Sequence, residues 1–353
     1  MQWELSDEQQ LFTSSLKEWL TAKYPAETVR AMFDAAEPGD FTRALIAEGW
    51  WGVGYPESSG GQGGGVLELT LAAREFGRAA VPDSQWLAAA IAAPLLSDSE
   101  LAGQLNGTRL YAVAIRADRV PALQQVDGDS GSVTGTVGHV LGAAGADVFL
   151  VPVAGPSGTV IARVEAGDGV SLVSEDLLDR SRASATVTFE RAPIVGWIDN
   201  SAAVYEIMSR AAVLTAADAL GAAERMLELS VTYSKQRKQF GQFIGGFQAV
   251  KHAAAQMLVS VEAGYSATLY AGAALDHQVA DADLIAAVAK AQVTASAAAL
   301  ADSALTVHGA IGYTWEHDLH MLYKRTKLDR VLFGPPGEWS ERIAAELLDM
   351  QTS

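Results

Sequence analysis

The sequence predicts an α+β chain in three zones: a helical domain, a small antiparallel β domain, and a C-terminal domain of long packed helices. Apolar residues recur at helical spacing from Leu5 to about Leu105 and again from about Ser201 to Thr352. Between Leu110 and Ile198 short runs rich in valine and threonine are instead bounded by glycine and aspartate, as strands are. With 353 residues the chain is long enough for two or three cores, and the expected domains are 1–108, 109–198 and 199–353.

In the first zone, DEQQLFTSSLKEWLTAKY reads as an amphipathic helix, and YPESSGGQGGG at 55–65 reads as a loop between helices. The second zone offers YAVAI, VTGTVGHVL, DVFLVPV, TVIARV and ATVTF as strands. In the third, Leu284, Val288, Ala291, Ala295, Ala298, Ala301 and Leu305 form a stripe at spacings of four and three. Val250, Ala254, Met257, Val261, Tyr265 and Leu269 form a second, and Val213, Ala217, Leu220, Leu227 and Val231 a third. Stripes rich in alanine let helix axes approach closely, so at least three long helices are expected side by side.

Composition narrows the function classes. The chain is 49% hydrophobic and 19% charged, with no apolar run that predicts a membrane span. A net charge of -17 without a basic stripe argues against a nucleic-acid partner. The absence of cysteine removes disulfides, thiolate metal sites and a cysteine nucleophile. MQWELSDEQQ lacks a basic cluster followed by an apolar stretch, so nothing argues for export, and the absence of cysteine makes a reducing cytoplasm the expected compartment.

Residues 237–248, RKQFGQFIGGFQ, interrupt two alanine-rich helical segments. One reading is a plain helix connection, with Arg237 and Lys238 favoured by the dipole at a helix C-terminus. The stretch also resembles the acyl-CoA dehydrogenase family, which carries here an arginine, two spacers, Phe-Gly and an Ile-x-x-Phe-Gln run. In this chain those are Arg237, Phe240, Gly241, Ile244, Phe247 and Gln248. HGAIGYTWEHDLHMLYKRTKL at 308–328 resembles the family's glycine-containing loop and following helix, and YPESSGGQGGG its Pro-Glu-x-x-Gly-Gly loop.

The resemblance implies the family's fold: an N-terminal helical domain, a middle antiparallel β domain and a C-terminal four-helix bundle. It also implies FAD, held mainly by the adjacent subunit and gripped by Arg237, Gln239, Phe240, Gln248 and Gly309. The residue types suit that task. A guanidinium forks onto pyrophosphate oxygens, Gln239 adds amide hydrogen bonds, Phe240 an aromatic face, and Gly241 permits close backbone approach.

Family members oxidise an acyl-CoA thioester, a carboxylate removing the α-proton while the β-hydrogen leaves as hydride to flavin. Counted from Gly309, the commonest position of that glutamate falls on Phe333, followed by Gly334. The second family position falls on Ala211. Neither side chain accepts a proton, so no catalytic residue is assigned. Asp218 stands about two helical turns from Ala211, and Glu338, after two prolines and a glycine, suits a helix start. The middle zone reads AIRADRVPALQQVDGDSG where the family carries a Thr-Glu-Pro run ending in Gly-Ser-Asp.

Some members of the family are α₂β₂ heterotetramers in which one chain type supplies the base and the other completes the FAD site. The resemblance therefore implies a non-catalytic subunit paired with a catalytic acyl-CoA dehydrogenase chain and acting on an acyl-CoA, with the small bundle residues hinting at a bulky acyl group such as a steroid side chain. Two other readings stay open: a homomeric flavoenzyme of the same fold with an unrecognised base, and a scaffold that binds only a partner or acyl-CoA.

Three further patterns read as structure. His317 and His320 lack a third metal ligand, so no metal is expected. GDSG at 128–131 is a turn. GGQGGG at 60–65 follows a helical zone and lacks the Gly-Lys-Ser/Thr of a phosphate loop.

Overall fold

The structure is a computed structural model that describes residues 4–34, 39–121, 126–128, 131–155, 158–198 and 201–352. Among the described residues six α-helices open the chain: α1 Asp7–Lys23, α2 Ala26–Asp34, α3 Gly39–Ala47, α4 Val66–Ala79, α5 Ser84–Ala92 and α6 Asp98–Leu105. A capping box starts α1, where Ser6 Oγ accepts from Gln9 N at 3.2 Å and Gln9 Oε1 accepts from Ser6 N at 3.0 Å. The same device, Ser97 with Glu100, starts α6. Inside, Tyr24, Phe41, Phe76 and Trp86 meet edge to face in succession at centroid distances of 5.0, 5.6 and 4.9 Å. Each such pair contributes about 0.5–1.5 kcal/mol beyond the area it buries.

Seven strands follow: β1 Tyr111–Val113, β2 Asp127–Gly128, β3 Ser132–Leu141, β4 Val148–Gly155, β5 Gly158–Glu165, β6 Val170–Ser174 and β7 Ser184–Ile198. They form one sheet in the order β1-β4-β5-β7-β3-β2, with β6 paired to β7. The long β7 joins its two halves, since residues 184–193 pair with β3 and residues 194–198 with β5. The sheet is not wholly antiparallel as the sequence suggested: β1 runs parallel to β4, with Tyr111 opposite Val148. That is possible because β1 opens the middle domain directly after α6 and is separated from β4 in sequence by the long excursion of β2 and β3. GDSG lies partly outside the described residues, at Asp129 and Ser130.

The last zone holds α7 Ser201–Gln236, a hairpin of β8 Lys238–Gln239 and β9 Gln242–Phe243, then α8 Gln248–Asp276, α9 Ala282–His308, α10 Leu319–Asp329 and α11 Pro336–Thr352. The four long helices α7, α8, α9 and α11 pack as a bundle with α10 laid against α7 and α9. The stripe expected on α9 is too narrow. Val288 is 38% exposed, while Ala286, Lys290, Val293, Ala297 and Leu300, outside the stripe, are buried. Three long helices surround α9, so it buries most of its circumference rather than one face. Its apolar segment Ala282–Tyr313 has the length and composition to cross a membrane, yet 61% of its most apolar stretch is buried inside the bundle, as for a core helix.

The N-terminal helices dock on the bundle through glycine. A Cβ on Gly77 of α4 would lie 2.0 Å from the Asp218 carbonyl oxygen of α7, and one on Gly221 of α7 would lie 1.8 Å from that of Arg74. Only hydrogen at both points allows the two backbones to touch. At the end of α8, Asp276 accepts from Val66 N at 2.5 Å and Leu67 N at 2.8 Å, capping α4 from the other domain.

The deepest junction of the three zones is ionic. Arg325 on α10 donates to both Asp218 oxygens at 2.7 and 2.6 Å, to Asp83 at 2.6 Å, to Ser181 Oγ at 2.7 Å and to the Val81 carbonyl at 3.0 Å. Arg182, from the turn before β7, reaches Asp83 at 2.6 Å, Asp218 at 3.0 Å and Asp329 at 3.6 Å. All five charged side chains are buried. Burial, then the neighbouring charge of Asp218, pushes Asp329 well above the usual carboxylate range. Burial alone would raise Asp218 too, but Arg325 and Arg182 hold it below its ordinary value. Burial raises Asp83 as well, so the two guanidiniums face three carboxyl groups of which Asp329 and Asp83 are pushed toward the neutral form and Asp218 toward the charged one.

Candidate functional site

The stretch 237–248 folds as a hairpin standing off the end of α7. Arg237 N still donates to Tyr233 O at 2.8 Å, prolonging the helical pattern, and Ile244 N returns to Arg237 O at 2.8 Å to close the loop. Lys238 pairs with Phe243 and Gln239 with Gln242, leaving Phe240 and Gly241 as the two-residue tip. Both tip residues have positive φ, 51° and 80°, the conformation of a type I′ turn. Gly241 is therefore explained by turn geometry, beyond the close approach expected from the sequence.

The tip carries Phe240 outward, 92% exposed, with only the edge of Phe247 beside it at 6.2 Å. Gln248, the first residue of α8, and Arg237 and Gln239 are exposed as well. Among the described residues, none of these three side chains makes a hydrogen bond or ion pair. Their donors are thus available to an anionic, hydrogen-bonding ligand such as a dinucleotide, and the residue set fits FAD in that respect.

Gly309 terminates α9 with φ of 65°, and a Cβ there would meet nothing within 4 Å. The constraint on Gly309 is its left-handed backbone, not crowding. It lies at the same end of the bundle as Arg237, because His308 stacks on Tyr233 with centroids 4.7 Å apart and planes at 22°. The structure thus gathers the five expected grip residues at one end of the bundle, on an open surface.

The two expected base positions are closed. Ala211 is fully buried in the middle of α7, and Phe333 is 2% exposed. The peptide of Phe333 donates to the Ala117 carbonyl at 2.6 Å, and its own carbonyl accepts from Trp339 Nε1 at 2.9 Å. Gly334 lies so close to Val120 that a Cβ would come within 2.6 Å of it. Glu338, in the first turn of α11 as expected, accepts from Val120 N at 3.0 Å. Residues 117–120 belong to the segment that departs from the family's middle signature, so the two departures meet and cover each other. Within that segment Arg116 grips Asp118 through two hydrogen bonds, 2.9 and 2.7 Å, which, with Arg119, hold the Asp118 carboxyl well below the usual range.

Nearby ionisable groups are committed elsewhere. Asp218 is bonded to Arg325 through both oxygens. Lys290 is fully buried, donates to the carbonyls of Asp329 and Gly334 at 2.8 and 3.2 Å, and burial pulls it down to about 7. His317 and His320 lie near no metal-binding set, since no group of three candidate ligands occurs among the described residues.

The sequence reading missed the ionic junction and the ring stack at His308. Asp83, Arg182 and Asp218 are too far apart in sequence for any spacing rule, and only Arg325 and Asp329, one helical turn apart, left a local signal.

Comparison with known proteins agrees with the architecture. The family model "Acyl-CoA dehydrogenase, C-terminal domain" matches residues 202–348, and "Acyl-CoA dehydrogenase, N-terminal domain" matches residues 6–98. The chain is 36% identical over 303 residues to acyl-CoA dehydrogenase FadE34 of Mycobacterium tuberculosis, covering 85% of this chain but only 41% of that protein's length. It is 30% identical over 297 residues to acyl-CoA dehydrogenase IpdE2 of the same organism, covering 83% of this chain and 81% of the relative. Among solved structures it superposes on a chain of the ChsE4-ChsE5 complex from Mycobacterium tuberculosis with a TM-score of 0.89 and 26% identity, covering 99% of each. Butyryl-CoA dehydrogenase from Megasphaera elsdenii, at 21% identity and a TM-score of 0.88 over 99% of this chain and 100% of that one, shares the fold.

Proposed function

The chain belongs to the acyl-CoA dehydrogenase family, and from that premise we propose that it is the non-catalytic subunit of a heteromeric acyl-CoA dehydrogenase, completing the FAD site of a catalytic partner. The observation that carries this reading is the sealed Phe333: hydrocarbon at the base position, with the middle-domain segment 117–120 hydrogen-bonded over it. The outward-facing grip supports it from the other side, since Arg237, Gln239 and Gln248 use none of their donors within the chain. The structural likeness to a chain of the two-component ChsE4-ChsE5 complex favours an α₂β₂ assembly, and the resemblance to a structure described as a steroid ACAD, 26% identical with a TM-score of 0.89 over 98% of this chain and 99% of that one, favours a bulky acyl-CoA substrate. On this reading the expected domains stay 1–108, 109–198 and 199–353, and the expected compartment stays the cytoplasm.

In this assembly Arg237 would pair with the pyrophosphate, Gln239 and Gln248 would offer hydrogen bonds to the nucleotide, Phe240 would offer it an aromatic face, and Gly309 would let the loop after α9 pass close. Bound FAD supplies the hydride acceptor. This chain's residues contribute binding, orientation and exclusion of water, while the carboxylate that takes the α-proton comes from the partner.

Co-expression with family chains that carry glutamate at the base position tests the reading. The expected result is a mixed complex of α₂β₂ mass with the flavin absorption spectrum, and neither flavin nor acyl-CoA oxidation with this chain alone. Stoichiometric flavin and activity in the isolated chain would overturn it.

A further inference from the structure

We infer that His308 is a positioning residue for the flavin grip, a role that rests on the reading above. The grip comes from two stretches distant in sequence, 237–248 and the loop that begins at Gly309. Among the described residues no hydrogen bond or ion pair joins them directly. Rings gathered around the buried His308 join them instead.

His308 is the last residue of α9 and 4% exposed. Its Nδ1–H donates to the Ala304 carbonyl at 2.8 Å, which fixes the ring plane. One face lies on Tyr233, whose carbonyl accepts the Arg237 peptide N–H at 2.8 Å. His317 meets the ring edge-on at 4.8 Å, and its Nδ1 accepts from Leu319 N at 3.1 Å at the start of α10. Gly312 packs on the same histidine, where a Cβ would come within 3.1 Å of the His308 Cβ. The ring therefore touches the helix end before Arg237 and, through His317, the approach to α10, while the Cβ of the same residue packs on Gly312 in the loop after Gly309.

This arrangement does more than fill a core. A leucine would fill similar volume without defining a plane, whereas a flat ring between Tyr233 on α7 and His317, beyond the Gly309 loop, fixes both their separation and their tilt. Two ligand-holding segments on separate helices bind well only when that geometry is set before the ligand arrives. His308 touches no cofactor itself. It acts through Arg237 and Gly309.

The test uses the mixed complex of this chain with its catalytic partner, measuring the FAD dissociation constant by flavin fluorescence in variants of this chain. Arg237→Ala is expected to weaken FAD about 10- to 100-fold, the range for losing a charge-assisted hydrogen bond. His308→Leu is expected to weaken it about five- to tenfold at unchanged complex mass, the range for losing ring stacking. His308→Phe, which keeps a ring for Tyr233, is expected to restore affinity to within about twofold of wild type by retaining that stacking. Tyr233→Leu, which removes the stack from the α7 side, is expected to match His308→Leu. An unchanged affinity in His308→Leu, or a His308→Phe as weak as His308→Leu, overturns the positioning role while a weakened Arg237→Ala leaves the grip standing. An Arg237→Ala that binds FAD as wild type overturns the grip and the inference together.

Discussion

The junction around Arg325 and the hairpin around Phe240 are both built from polar and aromatic residues, yet they stand at opposite ends of the range of burial. Arg325 places every arm of its guanidinium on an acceptor drawn from the N-terminal, middle or C-terminal zone. Arg237 has no side-chain partner among the described residues. A buried cation must be satisfied within its own chain, because water cannot reach it. An exposed one can wait for a ligand at little cost to stability. The difference teaches where to look for function here: the dense ionic network around Arg325 ties the three zones together, and on the proposed reading the exposed, unpartnered set is the part addressed to another molecule.

The largest expected effect breaks the junction. Arg325→Met leaves Asp83 and Asp218 buried beside a single arginine and should lower unfolding free energy by about 3–5 kcal/mol, read by urea denaturation. The double variant Arg325→Met/Asp218→Leu removes charges of both signs and should recover part of that loss. If the single variant is as stable as the wild type, the junction is not what holds the three zones together.

Next comes Lys290, whose folded value of about 7 lies below its ordinary 10.5. Between pH 7 and 10 the unfolded chain binds a proton that the folded chain does not. Stability should therefore rise with pH across that window, by up to about 1.4 kcal/mol per pH unit, and fall back toward pH 7. Lys290→Met should flatten this slope, which denaturation midpoints at pH 7, 8 and 9 would record.

The hairpin should respond weakly. Gly241→Ala forces a side chain into a φ of 80° and should cost about 1 kcal/mol, read as a lowered melting temperature with the sheet signal of the middle domain unchanged. Smallest of all, Phe240→Ala should alter the stability of the isolated chain by less than about 0.5 kcal/mol, since its ring is almost wholly in water. In the mixed complex the same change should weaken flavin binding. A large loss of stability in the isolated chain would mean that the tip is packed within this molecule after all.

Periodicity and turn chemistry determined much of this protein from the sequence alone. Helical spacing placed α7, α8 and α9, and RKQFGQFIGGFQ marked the connection between the first two, because these depend on neighbours a few residues away. The same local logic put Glu338 at a helix start. Only the tertiary structure decided that α9 is wrapped on three sides, that β1 runs parallel to β4, and that residues 117–120 cover Phe333. It also decided that Asp83, Arg182, Asp218, Arg325 and Asp329 share one buried site, and that the His308 ring stacks on Tyr233. These contacts bring together residues tens to hundreds of positions apart, and a one-dimensional pattern records the shape of each segment but not which segment it will meet.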